Sequence, residues 1–305
     1  MSTQPTAAGS ADLKYGVSLY SYTNEYGVTL TLEDCIEDVA DLGATGIEIL
    51  GEAHIPGYPG PKAEWVDSWF MALERYRLEP TCYGSWVDTR RFAGRSLTED
   101  EAVNQLETDL RLAARLGFRF LRPKLGVVTS DLEPDPVWEP ATERVLDLAA
   151  ELDVVICPEI HWPSVIKSKV VDDYLGFIDR TGTEHFGLLM DTGVFQTSMH
   201  RRGGGVASRL GDGSARPPIT PVVPVSDLED VIDKVVHIQA KFYEIDDELV
   251  DRHIPWREIL DVLDRHQWSG YLSSEYEGDY ATGRAADQLR RQHALLRLLA
   301  AEKQS

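Results

Sequence analysis

A single (β/α)8 barrel is the fold class this 305-residue sequence predicts, on three observations. Eight short apolar runs alternate with eight segments of helical periodicity, over roughly 250 residues of core chain. No linker or internal repeat divides them, so one domain is expected. The turn after the first run, Tyr20-Ser21-Tyr22-Thr23-Asn24-Glu25, lacks the GxGxxG of a dinucleotide-binding doubly wound sheet, which is the competing architecture.

Each element has its own signal. A flexible tail is expected over 1–14, with the barrel over 15–305. The first strand is read over 15–20. Thr31 opens a helix with Leu32, Cys35, Ile36, Val39 and Ala40 on one face and Gly43 as its stop. The second strand, 46–50, leads into a Gly/Pro-rich loop carrying His54. Trp65, Trp69, Leu73 and Tyr76 mark the second helix. The third strand, 79–85, ends at Trp86. Thr98 and Glu101 form a capping box ahead of a helix whose apolar face is Val103, Leu106, Leu110, Ala113 and Ala114.

A fourth strand over 118–122 and a helix over 136–152 precede the most apolar run, 154–160, which reads as a strand buried on both faces. Val171, Tyr174, Leu175 and Ile178 mark the helix behind it. The sixth strand is 186–191. A long irregular segment, 194–225, follows; a loop of that length in a compact domain is usually functional. Ser226 caps a further helix, 235–242 is the seventh strand, 255–266 its helix, 271–275 the eighth strand and 284–302 the last helix.

The chain carries 43% hydrophobic and 27% charged residues with a formal charge of −21, which argues against phosphate-backbone binding and hence against a nucleic-acid partner. No run approaches the roughly 18 apolar residues of a membrane span, and residues 1–14 lack the apolar stretch of a signal peptide. Three cysteines, Cys35, Cys82 and Cys157, stand far apart in apolar stretches and read as buried reduced thiols of a cytoplasmic protein.

Active residues of such a barrel lie where strands end and enter the following loops. Strands five to eight place Glu159, Asp191, His237 and Glu275 there, a donor set suited to Mn²⁺, Mg²⁺, Co²⁺ or Zn²⁺. Each residue alone would be an ordinary strand-end polar group, and His237 alone would read as a core histidine. Glu277 is the alternative fourth ligand, and Glu48 is read as a substrate contact or a salt-bridge partner. His161 shares a strand face with Glu159 and is the candidate general base or acid. Lys241, on the face of His237 and residue 239, could orient substrate oxygens or pair with a carboxylate. His54, Trp86 and Tyr20 are candidate substrate walls. His200, Arg201 and Arg202 head the long loop as a lid, a partner contact or a solvated charge run.

Together, Pro158-Glu159-Ile160-His161, Met190-Asp191-Thr192-Gly193, the run from Val236 to Lys241, and Ser274-Glu275 resemble the xylose-isomerase-like barrels. That group includes sugar isomerases, ketose 3-epimerases, inosose dehydratases and apurinic-site endonucleases. The resemblance covers residues 15–300 and implies that Glu159, Asp191, His237 and Glu275 bind a divalent cation, commonly manganese. With 8 histidines and an acidic balance, the chain departs from the three-zinc endonuclease branch. Gly193 and Val194 stand where ketose epimerases tend to carry a histidine, which puts simple 3-epimerisation in doubt.

The segment from His237 to Asp246, with Glu159 to Pro163, is most similar to the large subunits of bacterial C-glycoside deglycosidases. That similarity implies a metal-dependent lyase that acts on 3-oxo-C-glycosides, with Glu159, His161, Lys241 and Glu275 in the chemistry. It also implies a small β-rich second subunit, and the reading includes an oligomer. A sugar isomerase, epimerase or dehydratase of the same group is the alternative. A phosphorylated substrate is disfavoured, since no Gly-rich turn follows strands seven or eight.

Overall fold

Strands and helices alternate along the whole chain in this computed structural model, which describes residues 12–85, 97–123, 136–162, 164–197, 223–278, 281 and 283–303. The strands are β1 (Leu13–Ser18), β2 (Gly46–Leu50), β3 (Glu79–Gly84), β4 (Phe120–Arg122), β5 (Val155–Ile156), β6 (Glu159–Ile160), β7 (Leu188–Asp191), β8 (Val235–Phe242) and β9 (Gly270–Tyr276). The helices are α1 (Leu32–Asp41), a single turn α2 (Gly51–His54), α3 (Ala63–Tyr76), α4 (Glu99–Arg115), α5 (Trp138–Glu151), α6 (Lys169–Thr181), α7 (Trp256–Arg265) and α8 (Arg284–Glu302).

All pairings between named strands are parallel, in the order β5-β4-β3-β2-β1-β9-β8-β7-β6. The two ends of that order are consecutive in the chain, so the sheet returns on itself. Val155 and Cys157 donate to Arg119 and Leu121 on one side, while Gly187 and Leu189 donate to Ile156 and Pro158 on the other. β5 and β6 are therefore two pieces of one barrel strand, the expected 154–160. Pro158, which has no N–H to give, stands in the gap between them. The eight-position barrel read from the sequence is the fold, and nine segments result from that one interruption.

Local chemistry sets the boundaries. Thr31 and Thr98 cap α1 and α4 as expected, each accepting the backbone N–H of its third helical residue, whose carboxylate returns the bond. β1 begins at Leu13, inside the segment expected as tail. The helix expected after Ser226 is instead two 3-10 turns, Val225–Asp230 and Ile232–Lys234, broken where Val231 takes φ −129°. Most of the irregular segment after β7 lies outside the described residues, although Thr192–Phe195 forms a buried 3-10 turn first.

Apolar faces of the helices pack on outward residues such as Ile238 and Ala240, giving one continuous core between the two rings. The barrel interior holds a smaller apolar cluster, Cys82, Cys157 and Leu189, against Phe120 and Val236. All three cysteines are buried and unpaired by disulfides. No described helix is long and apolar enough to cross a membrane.

Candidate active site

Strand β8 organises the site. Residues two apart on a strand point to one side, so His237, Gln239 and Lys241 project together into the barrel, and all three are buried. Pairing with the neighbouring strands sets each at its own depth. His237 pairs with Leu189 of β7, Gln239 with Asp191, and Lys241 with Glu275 of β9. The interior polar groups thus form two layers.

The upper layer is ionic. Lys241 Nζ lies 2.6 Å from Asp191 Oδ2, 3.1 Å from Glu275 Oε2 and 3.3 Å from Glu277 Oε1, with every partner side chain at most 5% exposed. Burial works against the ammonium's charge, but Asp191 and Glu275 outweigh it and hold the lysine well above its ordinary range. Burial raises the Glu275 carboxyl; Lys241 pulls it down, while Glu159, Asp191 and Glu48 push it up, to about 7. Gly193 is required beside this cluster, because a Cβ there would sit 2.9 Å from Lys241 Cδ and 3.0 Å from Asp191 Oδ1. Across the barrel, Arg122 at the end of β4 meets Glu159 at 3.4 Å, and Gly84 leaves room for its guanidinium.

The lower layer is held by hydrogen bonds around Glu48. Ser18 Oγ donates to Glu48 Oε1 at 3.1 Å, Gln239 Nε2 donates to the same oxygen at 2.5 Å, and His237 Nε2 stands 3.3 Å from Glu48 Oε2. The His237 ring leans on Phe120, with centroids 5.6 Å apart.

Of the residues expected from sequence, Asp191, Glu275 and Lys241 come together, with Glu277 as a further carboxylate. Glu159, on the strand next to that of Asp191, stands beside Arg122. His161, 42% exposed, holds Nε2 3.7 Å from Asp191 Oδ2 and is open to an incoming ligand. His237 does not share this layer; it faces Glu48. His54 is packed rather than free: its Nδ1 accepts the Leu50 N–H at 2.9 Å, its ring lies against Tyr26, and burial lowers its pKa to about 4. Tyr20 lies in the 3-10 turn Leu19–Tyr22 after β1. Trp86, His200, Arg201 and Arg202 lie outside the described residues. Sequence reasoning misses Arg122 and Gln239. The alternation of β8 places residue 239 on the correct face, but nothing in it sets its depth.

The sequence pattern of the xylose isomerase-like TIM barrel matches residues 36–299. The chain belongs to that family. A C-glycoside deglycosidase alpha subunit of Arthrobacter globiformis is 28% identical over 95% of this chain and 93% of its own length. A 3'-dehydrocarminate deglycosidase alpha subunit of a Microbacterium species is 26% identical over 95% and 96%. Among solved structures, L-ribulose 3-epimerase superposes with a TM-score of 0.67 at 13% identity, over 96% of this chain and 97% of that one. The 3-keto-D-glucoside 4-epimerase of E. coli gives 0.61 at 15%, over 94% and 100%. At those identities the structures speak for the fold alone.

This member of the xylose isomerase-like family has donor groups that suit a metal ion. Glu159, His161 and Asp191 bring ligand atoms within 4.8 Å of one another, and so do Glu48, Cys82 and His237. The first group adjoins the ionic layer, where Asp191 Oδ2 and Glu275 Oε2 are buried against the Lys241 ammonium. Five buried or nearly buried carboxylates, Glu48, Glu159, Asp191, Glu275 and Glu277, face two fixed cations, Arg122 and Lys241. That surplus of negative charge fits a divalent cation.

Proposed function

We propose that this chain is the catalytic subunit of a metal-dependent carbon–carbon lyase that cleaves 3-oxo-C-glycosides. The observation that carries the reading is that two deglycosidase alpha subunits align with it over nearly the full length of both partners. One of their names specifies a 3'-dehydro substrate, a sugar already oxidised at that carbon. The arrangement of the site supports the same chemistry, with basic and acidic groups of both signs converging where β6 to β9 end.

In the proposed reaction the C2–H bond beside the 3-oxo group breaks and its electron pair forms a C1=C2 bond. The bond from C1 to the aromatic carbon breaks, and that carbon takes up a proton. The products are the free aglycone and an unsaturated keto-sugar. Glu159, Asp191 and Glu275, with a neutral donor from β8, would hold a divalent cation, Mn²⁺ foremost with Mg²⁺, Co²⁺ and Zn²⁺ as alternatives, and it would supply Lewis acidity toward the carbonyl. His161 Nε2, the most exposed of these basic atoms, takes the C2 proton. Glu275 completes the acid–base pair and passes a proton to the departing aromatic carbon. Lys241 Nζ orients a substrate oxygen, and Arg122 holds Glu159 in place. A small β-rich second subunit, oligomerisation and a cytoplasmic setting belong to this reading.

The test is turnover of a 3-oxo-C-glucoside by the Mn²⁺-loaded protein, with and without the second subunit, alongside Glu159→Gln and His161→Ala. Aglycone release that both substitutions cut by about a hundredfold or more is expected. Epimerisation of free ketoses by the lone chain, with no aglycone release, would move it to the sugar-isomerase branch.

A further inference from the structure

We propose that Gln239 supplies the neutral metal donor of β8 through its amide oxygen, and that Glu48 is the positioning residue which presents it. This deepens the metal-dependent reading above and rests on it. Three observations converge on it. The first is register: Gln239 is the β8 residue paired with Asp191, whereas His237 is paired with Leu189, two residues further down the strand, with its Nε2 turned to Glu48.

The second is how the amide is held. Gln239 is fully buried, and its Nε2 donates to Glu48 Oε1 at 2.5 Å. Only the NH₂ end of an amide can donate to a carboxylate, so this bond assigns the amide's orientation. Glu48 is itself fixed, by Ser18 on the same oxygen and His237 on the other. The third is what remains. Gln239 Oε1 is buried and has no hydrogen-bond partner. An acceptor left without a donor inside a protein is costly, and a cation shared with Asp191 and Glu275 would satisfy it. Those two carboxylates are buried in the same site and share a single lysine. Imidazole suits Zn²⁺ and Co²⁺, while an amide oxygen suits harder ions, so this donor tilts the site toward Mn²⁺ or Mg²⁺.

Equilibrium dialysis of the metal-stripped full chain against Mn²⁺ and Zn²⁺, with bound metal counted by mass spectrometry, tests this without any activity. Gln239→Leu is expected to weaken Mn²⁺ binding by about tenfold or more, and Glu48→Gln by about tenfold although the donor itself remains. Gln239→His, which carries the test should the leucine variant fail to fold, is expected to raise the preference for Zn²⁺ over Mn²⁺ by about tenfold or more. Wild-type Mn²⁺ affinity in a folded Gln239→Leu chain, or an unchanged metal preference in Gln239→His, overturns this inference and leaves the metal reading standing. A wild-type chain that binds neither ion overturns both.

Discussion

Asp109 and Glu275 are both buried carboxylates whose pKa burial raises, yet they are answered in opposite ways. Asp109, on α4 outside the barrel wall, accepts hydrogen bonds from Tyr58 at 2.9 Å, Tyr83 at 3.1 Å, Ser85 at 2.6 Å and Gln105 at 3.1 Å. Its donors are neutral and already in place. Glu275, inside the barrel, has one charged lysine 3.1 Å from its Oε2, shared with Asp191 and Glu277. The first network is complete and ties the loop after β2 to β3 and α4. The second keeps bonding capacity in reserve. Burial and a raised pKa therefore do not separate a structural acid from a functional one; the excess of carboxylates over donors does.

The contrast breaks most sharply at Lys241. Lys241→Met leaves Asp191, Glu275 and Glu277 buried without their cation, and removing one partner of a buried ion pair costs roughly 3–5 kcal/mol. Urea denaturation of the metal-free chain should show a loss of that size, and added Mn²⁺ should recover part of it. A loss below about 1 kcal/mol would mean that the ionic layer is not held by the lysine.

His293 sharpens the comparison from the other direction, because it is a buried titratable group away from the ionic layer, on α8 with its ring facing Tyr15. Burial, with Arg297 nearby, lowers its pKa from 6.5 to about 4. The unfolded chain then takes up the proton first as pH falls. Stability from this group is present above about 6.5 and is lost on the way down to about 4, by up to about 3 kcal/mol. Denaturation midpoints between pH 7 and 5 should follow the joint slope of His293 and the similarly buried His54, and His293→Leu should remove about half of it without moving metal affinity. If metal affinity moves as well, the two regions are coupled.

Much of this was legible in the residues. The run over 235–242 and the last helix, 284–302, stand where alternation and helical periodicity put them. Strand-end carboxylates on strands five, six and eight were readable because a charge that closes an apolar run is costly to bury without a partner. Depth within a strand was not. His237 and Gln239 share a face, and distance along the chain between strand ends cannot resolve a shift of two residues. Arg122 closes a strand of only 3 residues, too short to separate a buried guanidinium from an ordinary loop charge. The segment after Ser226 has apolar residues three apart at Val225, Leu228 and Val231, a spacing that 3-10 turns satisfy as well as an α-helix does.

The smallest effect is expected at Asp109, and it tests the structural half of the contrast. Asp109→Asn keeps the volume and keeps one carbonyl oxygen for the tyrosines. Tyr58 and Tyr83 both donate to Oδ1, while Ser85 and Gln105 both donate to Oδ2. With the amide oxygen on the tyrosines, the new NH₂ faces the serine hydroxyl, which can turn to accept, and the Gln105 amide, which must rotate or lose its bond. One hydrogen bond is therefore at stake, with about 1–2 kcal/mol of stability. Because none of the donors belongs to the ionic layer, Mn²⁺ affinity should stay within about twofold of wild type, as independent sites that share no partner allow. A stability loss of that size with unchanged metal affinity assigns Asp109 to the scaffold. Metal binding that weakens with it would show that the β3 end reaches the site through Ser85, and the line between the two carboxylates would have to be redrawn.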